Sequence, residues 1–226
     1  MSSSEDLSWE VTLPDRRTQS LGYGARPRAI LTVSTPDRGK EQVSLPLSVG
    51  RLLKAKTEAS ELHPGSRAEL LYMVRELSTR CASLRVEKLV DKRDYSAQEL
   101  SNKLAQDGFS ASIRDAVVAR AQDCGLVSDN RYAAAFIRSK LASGWGVMRI
   151  ERELKERGIE LRTVPGWPEE FVEEGSEEER AYAVASTRRI AEKNGFEKLV
   201  RFLCGRGFTM GCAMRVARRV IDEATG

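Results

Sequence analysis

The chain has few of the residues that commonly carry catalysis or bind metal ions. Its only histidine, His63, precedes a proline and a glycine, so it falls in a connector and not in a cluster of reactive side chains. The four cysteines show no Cys-x-x-Cys spacing, and the sequence contains no phosphate-binding glycine loop, nucleophile elbow or His-Glu-x-x-His helix. Nothing in the sequence therefore indicates catalysis. We expect a protein that is not an enzyme and that needs no metal and no cofactor.

Long apolar runs are also missing. No segment approaches the roughly 20 apolar residues that a membrane-spanning helix needs. The opening segment MSSSEDLSWE has neither the basic nor the apolar region of a secretory signal. We therefore expect a cytoplasmic, monomeric protein without a membrane segment. In such a protein the cysteines, at positions 81, 124, 204 and 212, would be reduced thiols in the core.

Aromatic residues are scarce at 6% of the 226 residues, whereas charged residues make up 31%. The net charge of +4 is small, but the charges are segregated along the chain. Seven glutamates and no basic residue lie between positions 165 and 179, and nine basic residues with two glutamates lie between 188 and 219. We interpret the acidic segment, 169–179, as a solvated linker. The basic segment favours an acidic partner.

A short pattern occurs three times in the second half of the chain. The segments NKLAQDGF, RELKERGI and RFLCGRGF each place a leucine four residues before a glycine that an apolar residue follows. The glycines, Gly108, Gly158 and Gly207, are 50 and 49 residues apart. Glycine just past a helix end adopts a left-handed conformation at little cost, and the apolar residue folds back on the last turn. The pattern predicts tandem helix-turn-helix units, each completed by a third helix.

The N-terminal part has a different pattern. Residues 1–27 lack periodicity and predict a flexible tail, and alternating apolar residues within 28–65 predict a small β element of two or three strands whose last strand reaches residue 49. Serine followed three residues later by glutamate, at Ser66 and Ser96, predicts helix starts. The predicted fold is mainly α, with tandem three-helix bundles after the β element. The predicted boundaries are a connecting helix at 66–90, repeat one at 91–141, repeat two with the acidic insertion at 142–190, and repeat three at 191–226.

Basic residues of the second half are the candidates for binding. Those of RIERELKER alternate with glutamates, which equally describes an exposed helix with ion pairs between its turns. Three arginines near the C-terminus, at positions i, i+3 and i+4, share one helix face with few acids nearby in sequence, which favours a phosphate or an acidic protein surface. The full candidate set is Arg131, Arg138, Lys140, Arg149, Arg152, Arg201, Arg206, Arg215, Arg218 and Arg219.

The segment GLVSDNRYAAAFIRSKLASGWGVMRIERELKERGI, residues 125–159, resembles the central signature of the RecX family of recombination regulators. The signature runs Gly-Leu, an acidic helix start, Arg-Tyr-Ala, a basic helix, Gly-aromatic-Gly, Arg-Ile-x-x-Glu-Leu and Gly-Ile. The opening Ser-x-x-Glu-Leu of the family's first repeat is similar to residues 96–100, and the Arg-Gly-Phe of its third repeat is similar to 206–208. Val147 stands where the family usually has proline.

The resemblance implies a protein that binds the RecA recombinase, inserts along the groove of its filament on single-stranded DNA, and restrains ATP hydrolysis and strand exchange in DNA repair and the SOS response. The residues alone do not identify RecA. Three-helix units with basic helices also describe a tandem helical protein that binds DNA by itself. Tight DNA binding without the recombinase would favour this alternative.

Overall fold

A computed structural model describes residues 7–15, 26–173, 176–191 and 193–225. The chain divides into two units, Met1–Val127 and Ser128–Gly226. The predicted fold class is confirmed: the described residues are mainly helical and carry a small N-terminal sheet. Among these residues, no helix is both long enough and apolar enough to cross a bilayer.

Three antiparallel strands form the sheet of the first unit, with β1 (Ser8–Thr12) and β3 (Gly39–Pro46) on either side of β2 (Arg28–Thr35). Ala29, Leu31 and Val33 alternate along β2 and are fully buried, so one face of the sheet belongs to the core. β2 is the central strand because it is paired with a neighbouring strand on both sides.

Two N-terminal predictions are wrong. The flexible tail expected over 1–27 contains β1, because Val11 is buried and pairs opposite Leu31; the tail residues 1–6 and 16–25 lie outside the described part of the chain. The strand expected to reach residue 49 ends at Pro46, where helix α1 (Leu47–Glu58) begins. Val49 and Leu53 are four residues apart, and both are fully buried on one face of this helix.

The first unit continues with three helices, α2 (Arg67–Val90), α3 (Ala97–Asp107) and α4 (Ala111–Asp123). Ser66 accepts a hydrogen bond from the Glu69 backbone N–H at 3.2 Å, and Ser96 with Glu99 forms a complete capping box. Both predicted helix starts are therefore confirmed. These helices share one apolar core with α1 and the sheet.

The second unit contains α5 (Asp129–Ala142), α6 (Val147–Lys155), a 3-10 turn (Leu161–Thr163), α7 (Ser176–Ser186), α8 (Gly195–Arg206) and α9 (Met210–Thr225). Its apolar residues form two cores. One joins α5, α6 and the segment up to residue 172, and the other joins α7, α8 and α9. The second unit is thus a pair of small bundles.

The three turn glycines adopt the predicted conformation. Their φ angles are 100° at Gly108, 75° at Gly158 and 93° at Gly207, which is the left-handed region that glycine enters without a Cβ penalty. The apolar residues that follow, Phe109, Ile159 and Phe208, are all buried. Each glycine ends the second helix of its bundle, as the repeated pattern predicts.

The helices group differently from the predicted repeat boundaries at 141/142 and 190/191. α5 packs with α6, since Ile137 and Leu141 share a core with Ile150 and Leu154, and α7 packs with α8 and α9. The bundles are therefore α2–α3–α4, α5–α6 with the 3-10 turn, and α7–α8–α9. Each includes the helix before its glycine-ended helix, which helical periodicity alone does not specify. The predicted boundary at residue 90 falls inside the first bundle, because α2 packs with α3 and α4, and the boundary at residue 65 stays a prediction.

Candidate nucleic-acid and partner interface

A row of three aromatic rings lies where α5 turns into α6. Tyr132 and Phe136, one helical turn apart, stack with ring centroids 6.1 Å apart. Trp145, in the turn, meets Phe136 edge to face at 6.3 Å. Phe136 and Trp145 are only partly buried. The row is thus anchored in the core by Tyr132 and reaches the surface at its other end.

Cationic side chains cover these rings. The Lys140 ammonium lies 5.3 Å from the Phe136 ring and 4.8 Å from the Trp145 ring. The Arg149 guanidinium lies 3.8 Å above Trp145, and that of Arg157 lies 5.0 Å from Phe136. An aromatic ring attracts a cation but leaves its full positive charge in place. We call this group, together with Arg206, the Trp145 surface.

The Trp145 surface depends on a close approach between two helices of the second unit. The N–H groups of Gly146 and Met148 at the start of α6 donate to the carbonyls of Arg206 and Gly207 at the end of α8, at 2.9 and 3.1 Å. Backbone N–H groups that lack a partner within α6 thereby bind backbone carbonyls that lack a partner within α8. A Cβ at residue 146 would collide with the Gly207 carbonyl. This contact is the physical reason for the second glycine of the Gly-Trp-Gly motif.

The same approach brings Arg206 to the turn. Its guanidinium donates to the Ser143 carbonyl at 3.3 Å and lies 5.4 Å from the Phe202 ring, which Arg188 also covers at 4.0 Å. Arg149 packs between the two helices, and its Nε is buried without a hydrogen-bond partner. Positive charge is therefore concentrated from α6 across to α8, and part of it is desolvated.

Of the ten predicted residues, three belong to the Trp145 surface: Lys140, Arg149 and Arg206. Arg138 instead lies over the Phe171 ring at 4.9 Å. Arg131 is exposed in the first turn of α5. Within the described part of the chain, three more are exposed and have no ion pair or hydrogen bond of their side chains: Arg152, Arg201 and Arg218.

The expectation that few acids lie near the C-terminal arginines is wrong. Arg215 Nε donates to Glu178 Oε1 at 2.6 Å, which brings a glutamate of the acidic segment onto α9. Arg219 Nε donates to Glu223 Oε1 at 3.0 Å and its guanidinium lies 4.0 Å from the Tyr182 ring. Glu178 is far from α9 in sequence, and only the packing of α7 on α9 brings it close.

These contacts shift the pKa values of Arg215, Arg219 and Glu223. The hydrogen bond to Glu178 raises the pKa of Arg215, and the hydrogen bond to Glu223 raises that of Arg219. Hydrogen bonds from Tyr182 and Arg219 lower the pKa of the Glu223 carboxyl. Because the pKa of Glu223 is lowered, this carboxylate is ionised at neutral pH and compensates the charge of Arg219.

The sequence reasoning missed the aromatic rings and Arg157 of the Trp145 surface. It also missed Arg188, which lies over the Phe202 ring. Arg157 pairs with Glu153 at 2.9 Å and donates to the Tyr132 hydroxyl at 3.1 Å, so the expected ion pairing between turns is present there. A usable signal existed in the i, i+4 spacing of Phe136 and Lys140 on α5. No local signal connects Arg188 with Phe202.

The cysteines differ in burial. Cys212 is buried, and this burial raises the pKa of its thiol to about 11. Cys124 is exposed, so the expectation of a core position is wrong for it, because α4 ends there and turns the side chain outward. Within the described ranges, no group of three or more His, Cys, Asp or Glu side chains could hold a metal ion.

The fold and this surface define a class: a chain of tandem three-helix bundles with cations concentrated over aromatic rings. A family model described as "RecX, second three-helix domain" matches residues 128–163. The match begins at the observed start of the second unit.

Curated relatives extend the match. The Regulatory protein RecX of Legionella pneumophila (strain Corby) is 30% identical over 139 residues, which cover 59% of this chain and 90% of the relative. A Regulatory protein RecX of Thermus thermophilus is 33% identical over 140 residues, covering 62% and 92%. The chain belongs to the RecX family.

Solved structures support the fold alone, since their sequence identities are low. A crystal structure of a regulatory protein RecX superposes with a TM-score of 0.55 at 15% identity and covers 94% of this chain and 97% of that one. The crystal structure of RecX from Lactobacillus salivarius gives a TM-score of 0.52 at 14% identity, covering 63% and 96%.

Proposed function

We propose that this protein binds the RecA recombinase filament on single-stranded DNA and restrains its ATP hydrolysis and strand exchange, as a cytoplasmic, monomeric regulator in DNA repair and the SOS response. Membership of the RecX family supports the proposal. The observation that carries it is the Trp145 surface, because a filament on DNA presents the closely spaced negative charges of the phosphate backbone. The protein itself hydrolyses no ATP and uses no cofactor in this proposal.

The Trp145 surface suits such a partner for a physical reason. Lys140, Arg149 and Arg206 rest on aromatic rings or backbone carbonyls, so their charges remain available to phosphate or carboxylate groups. The exposed cations Arg138, Arg152 and Arg201 extend the charge along α5, α6 and α8. We place Arg131 at the rim of this surface. Arg218 belongs to a separate face of α9, which it shares with Arg215 and Arg219 and which we call the α9 face.

The test is the DNA-dependent ATPase of the cognate recombinase. Substoichiometric wild-type protein should lower the ATPase rate, and the double variant Lys140→Gln/Arg149→Gln should need about tenfold more protein for the same inhibition. Lys155→Gln, an exposed lysine on α6 outside the candidate set, is the control for a lost charge. An ATPase rate that stays unchanged at a large excess of wild-type protein would contradict the proposal.

A second function is favoured by the aromatic rings of the same surface. Cations interleaved with partly exposed aromatic rings also suit direct binding of single-stranded DNA, where bases stack and phosphates pair with cations. In this alternative the protein binds DNA tightly without the recombinase. Fluorescence anisotropy with a labelled oligonucleotide, in the presence and absence of the recombinase, separates the two functions.

A further inference from the structure

A second concentration of positive charge lies in the first unit, far in sequence from the Trp145 surface. A cavity of about 290 Å³ opens between the residues before β2, the start of α1, the C-terminal half of α2 and the end of α3. Four cations line it, Arg26, Arg51, Arg85 and Lys88, against a single carboxylate, Asp107. The lining thus carries an excess of three positive charges.

Two of the four cations, Arg26 and Arg85, have a structural role. Asp107 is the last residue of α3, where the helix dipole disfavours a negative charge, and its side chain is only 13% exposed. Arg85 Nε donates to Asp107 Oδ2 at 2.7 Å, and Arg26 pairs with the other carboxylate oxygen. Asp107 therefore holds both guanidinium groups in place at the wall of the cavity.

Arg51 and Lys88 have no such explanation. Both are exposed at the mouth of the cavity, and neither forms an ion pair or hydrogen bond with any described residue. With Arg26 and Arg85 held by one carboxylate, Arg51 and Lys88 add positive charge that no described carboxylate compensates, so the site favours the entry of an anion. Arginine forks and a lysine ammonium match the oxygens of a phosphate group in particular.

The remaining lining describes the rest of the ligand. Leu47 and Phe109 give the cavity an apolar wall, and its volume lies just below the roughly 300–1,000 Å³ typical of small-molecule sites, which suits a small ligand. Leu47 and Ser48 also begin α1, whose start no side chain caps, so free backbone donors face the same region. The cavity and its cations carry the inference, and this helix start only adds donors.

We propose that this cavity, which we call the Arg51 cavity, binds a small phosphate ester, with the phosphate between Arg51, Arg85 and Lys88 and the organic part against Phe109. The proposal does not rest on the proposed function, because the Arg51 cavity lies in the first unit and shares no residue with the Trp145 surface. A bound dianion would also tie the residues before β2 to α1 and α2, so the ligand should stabilise the first unit.

Two cysteines of the first unit provide the measurement. Cys81 lines the Arg51 cavity and burial raises the pKa of its thiol, whereas Cys124 is exposed and lies outside the cavity. In the full chain, AMP and inorganic phosphate at millimolar concentration should slow the alkylation of Cys81 by iodoacetamide, followed by peptide mass spectrometry. Alkylation of Cys124 should keep its rate and serves as the internal reference. Adenosine, which lacks the phosphate, should protect poorly.

The double variant Arg51→Gln/Lys88→Gln removes the two unpaired cations without breaking a described contact. It should raise the AMP concentration needed for protection about tenfold or more, while Lys54→Gln, an exposed control on α1, should match the wild type. The proposal is overturned by any of three results: AMP gives no protection, the double variant is protected like the wild type, or adenosine protects as well as AMP. Protection only by oligonucleotides, with or without a 5′ phosphate, would show a DNA-backbone surface instead and also reject it.

Discussion

The Trp145 surface and the α9 face both carry clustered cations, but their partners differ. On α9, Arg215 and Arg219 pair with Glu178 and Glu223. On the Trp145 surface, Lys140 and Arg149 lie over aromatic rings. A carboxylate cancels the charge of its arginine at a distance, whereas a ring only orients the cation. Two clusters that look alike in sequence therefore present different fields to an anionic partner.

The acidic segment has a role in this difference. Expected as a solvated linker, it contributes Glu178, in the first turn of α7, to the α9 face. The first turn of a helix favours acidic residues, so Glu177, Glu178 and Glu179 also suit the helix dipole there. The acidic segment thus lowers the net charge of the α9 face through Glu178.

The largest effect is expected from Gly207→Val. A Cβ at this residue, where φ is 93°, would lie 2.5 Å from the Arg149 backbone nitrogen. Left-handed strain and overpacking should together lower the free energy of unfolding by roughly 3 kcal/mol or more. The contact that joins α6 to α8 should be lost first. Urea unfolding followed by tryptophan fluorescence measures the loss.

Gly125→Ala is the control for this prediction. Its φ is 73°, but an added Cβ meets no atom within 4 Å, so only the backbone strain remains. We expect a loss of about 1 kcal/mol. If the two variants unfold at the same urea concentration, the close approach at Gly207 contributes nothing.

Trp145→Ala should have the next largest effect. It removes the ring that holds Lys140 and Arg149, so binding to single-stranded DNA or to the filament should weaken about tenfold. Trp145→Phe keeps a ring and should retain most of the affinity. Anisotropy titrations at fixed salt measure both variants, and near-wild-type binding by the alanine variant would remove the ring from the mechanism.

Salt dependence sharpens the comparison of the two faces. If phosphates contact the Trp145 surface, Lys140→Gln/Arg149→Gln should reduce the log–log salt slope of DNA binding by about one for each cation removed. Arg215→Ala/Arg219→Ala should change the slope less, because those charges are already compensated. Adding Arg218→Ala to the α9 pair tests the one α9 candidate without a described partner. Equal slopes for both double variants would show that intramolecular pairing does not matter.

The sequence predicted what local physics determines. The turn glycines and the capping box at Ser96 follow from spacing of a few residues and are present as expected, whereas the grouping of the helices into bundles depends on their packing and was predicted differently. The β1 strand was not predicted, because its partner strand β2 is distant in sequence and the segment between the two strands shows no hydrophobic periodicity. Strand pairing is a property of both partners, and a single short strand carries little signal of its own.

The candidate binding site was harder to predict from the sequence, because it too depends on contacts between residues that are distant in sequence. Ten basic residues could be chosen from charge and helix position, but several of their partners are distant in sequence, as Glu178 is for Arg215 and Phe171 is for Arg138. Charge clusters in a sequence therefore indicate where binding is possible. Only the packing determines which cations remain uncompensated.

The smallest effect is expected at Glu223, which accepts hydrogen bonds from Tyr182 and, at 3.0 Å, from Arg219. Its folded-state pKa is lowered from 4.5, so its contribution to stability is present at neutral pH and is lost as the pH falls through that lowered pKa. Glu179 adds negative charge from α7. Because the cluster is exposed, Glu223→Gln should shift the urea midpoint slightly at pH 7 and not at low pH. The same variant frees Arg219 and should strengthen DNA binding by at most about threefold. A larger gain would mean that the α9 face, once uncovered, is the principal binding surface.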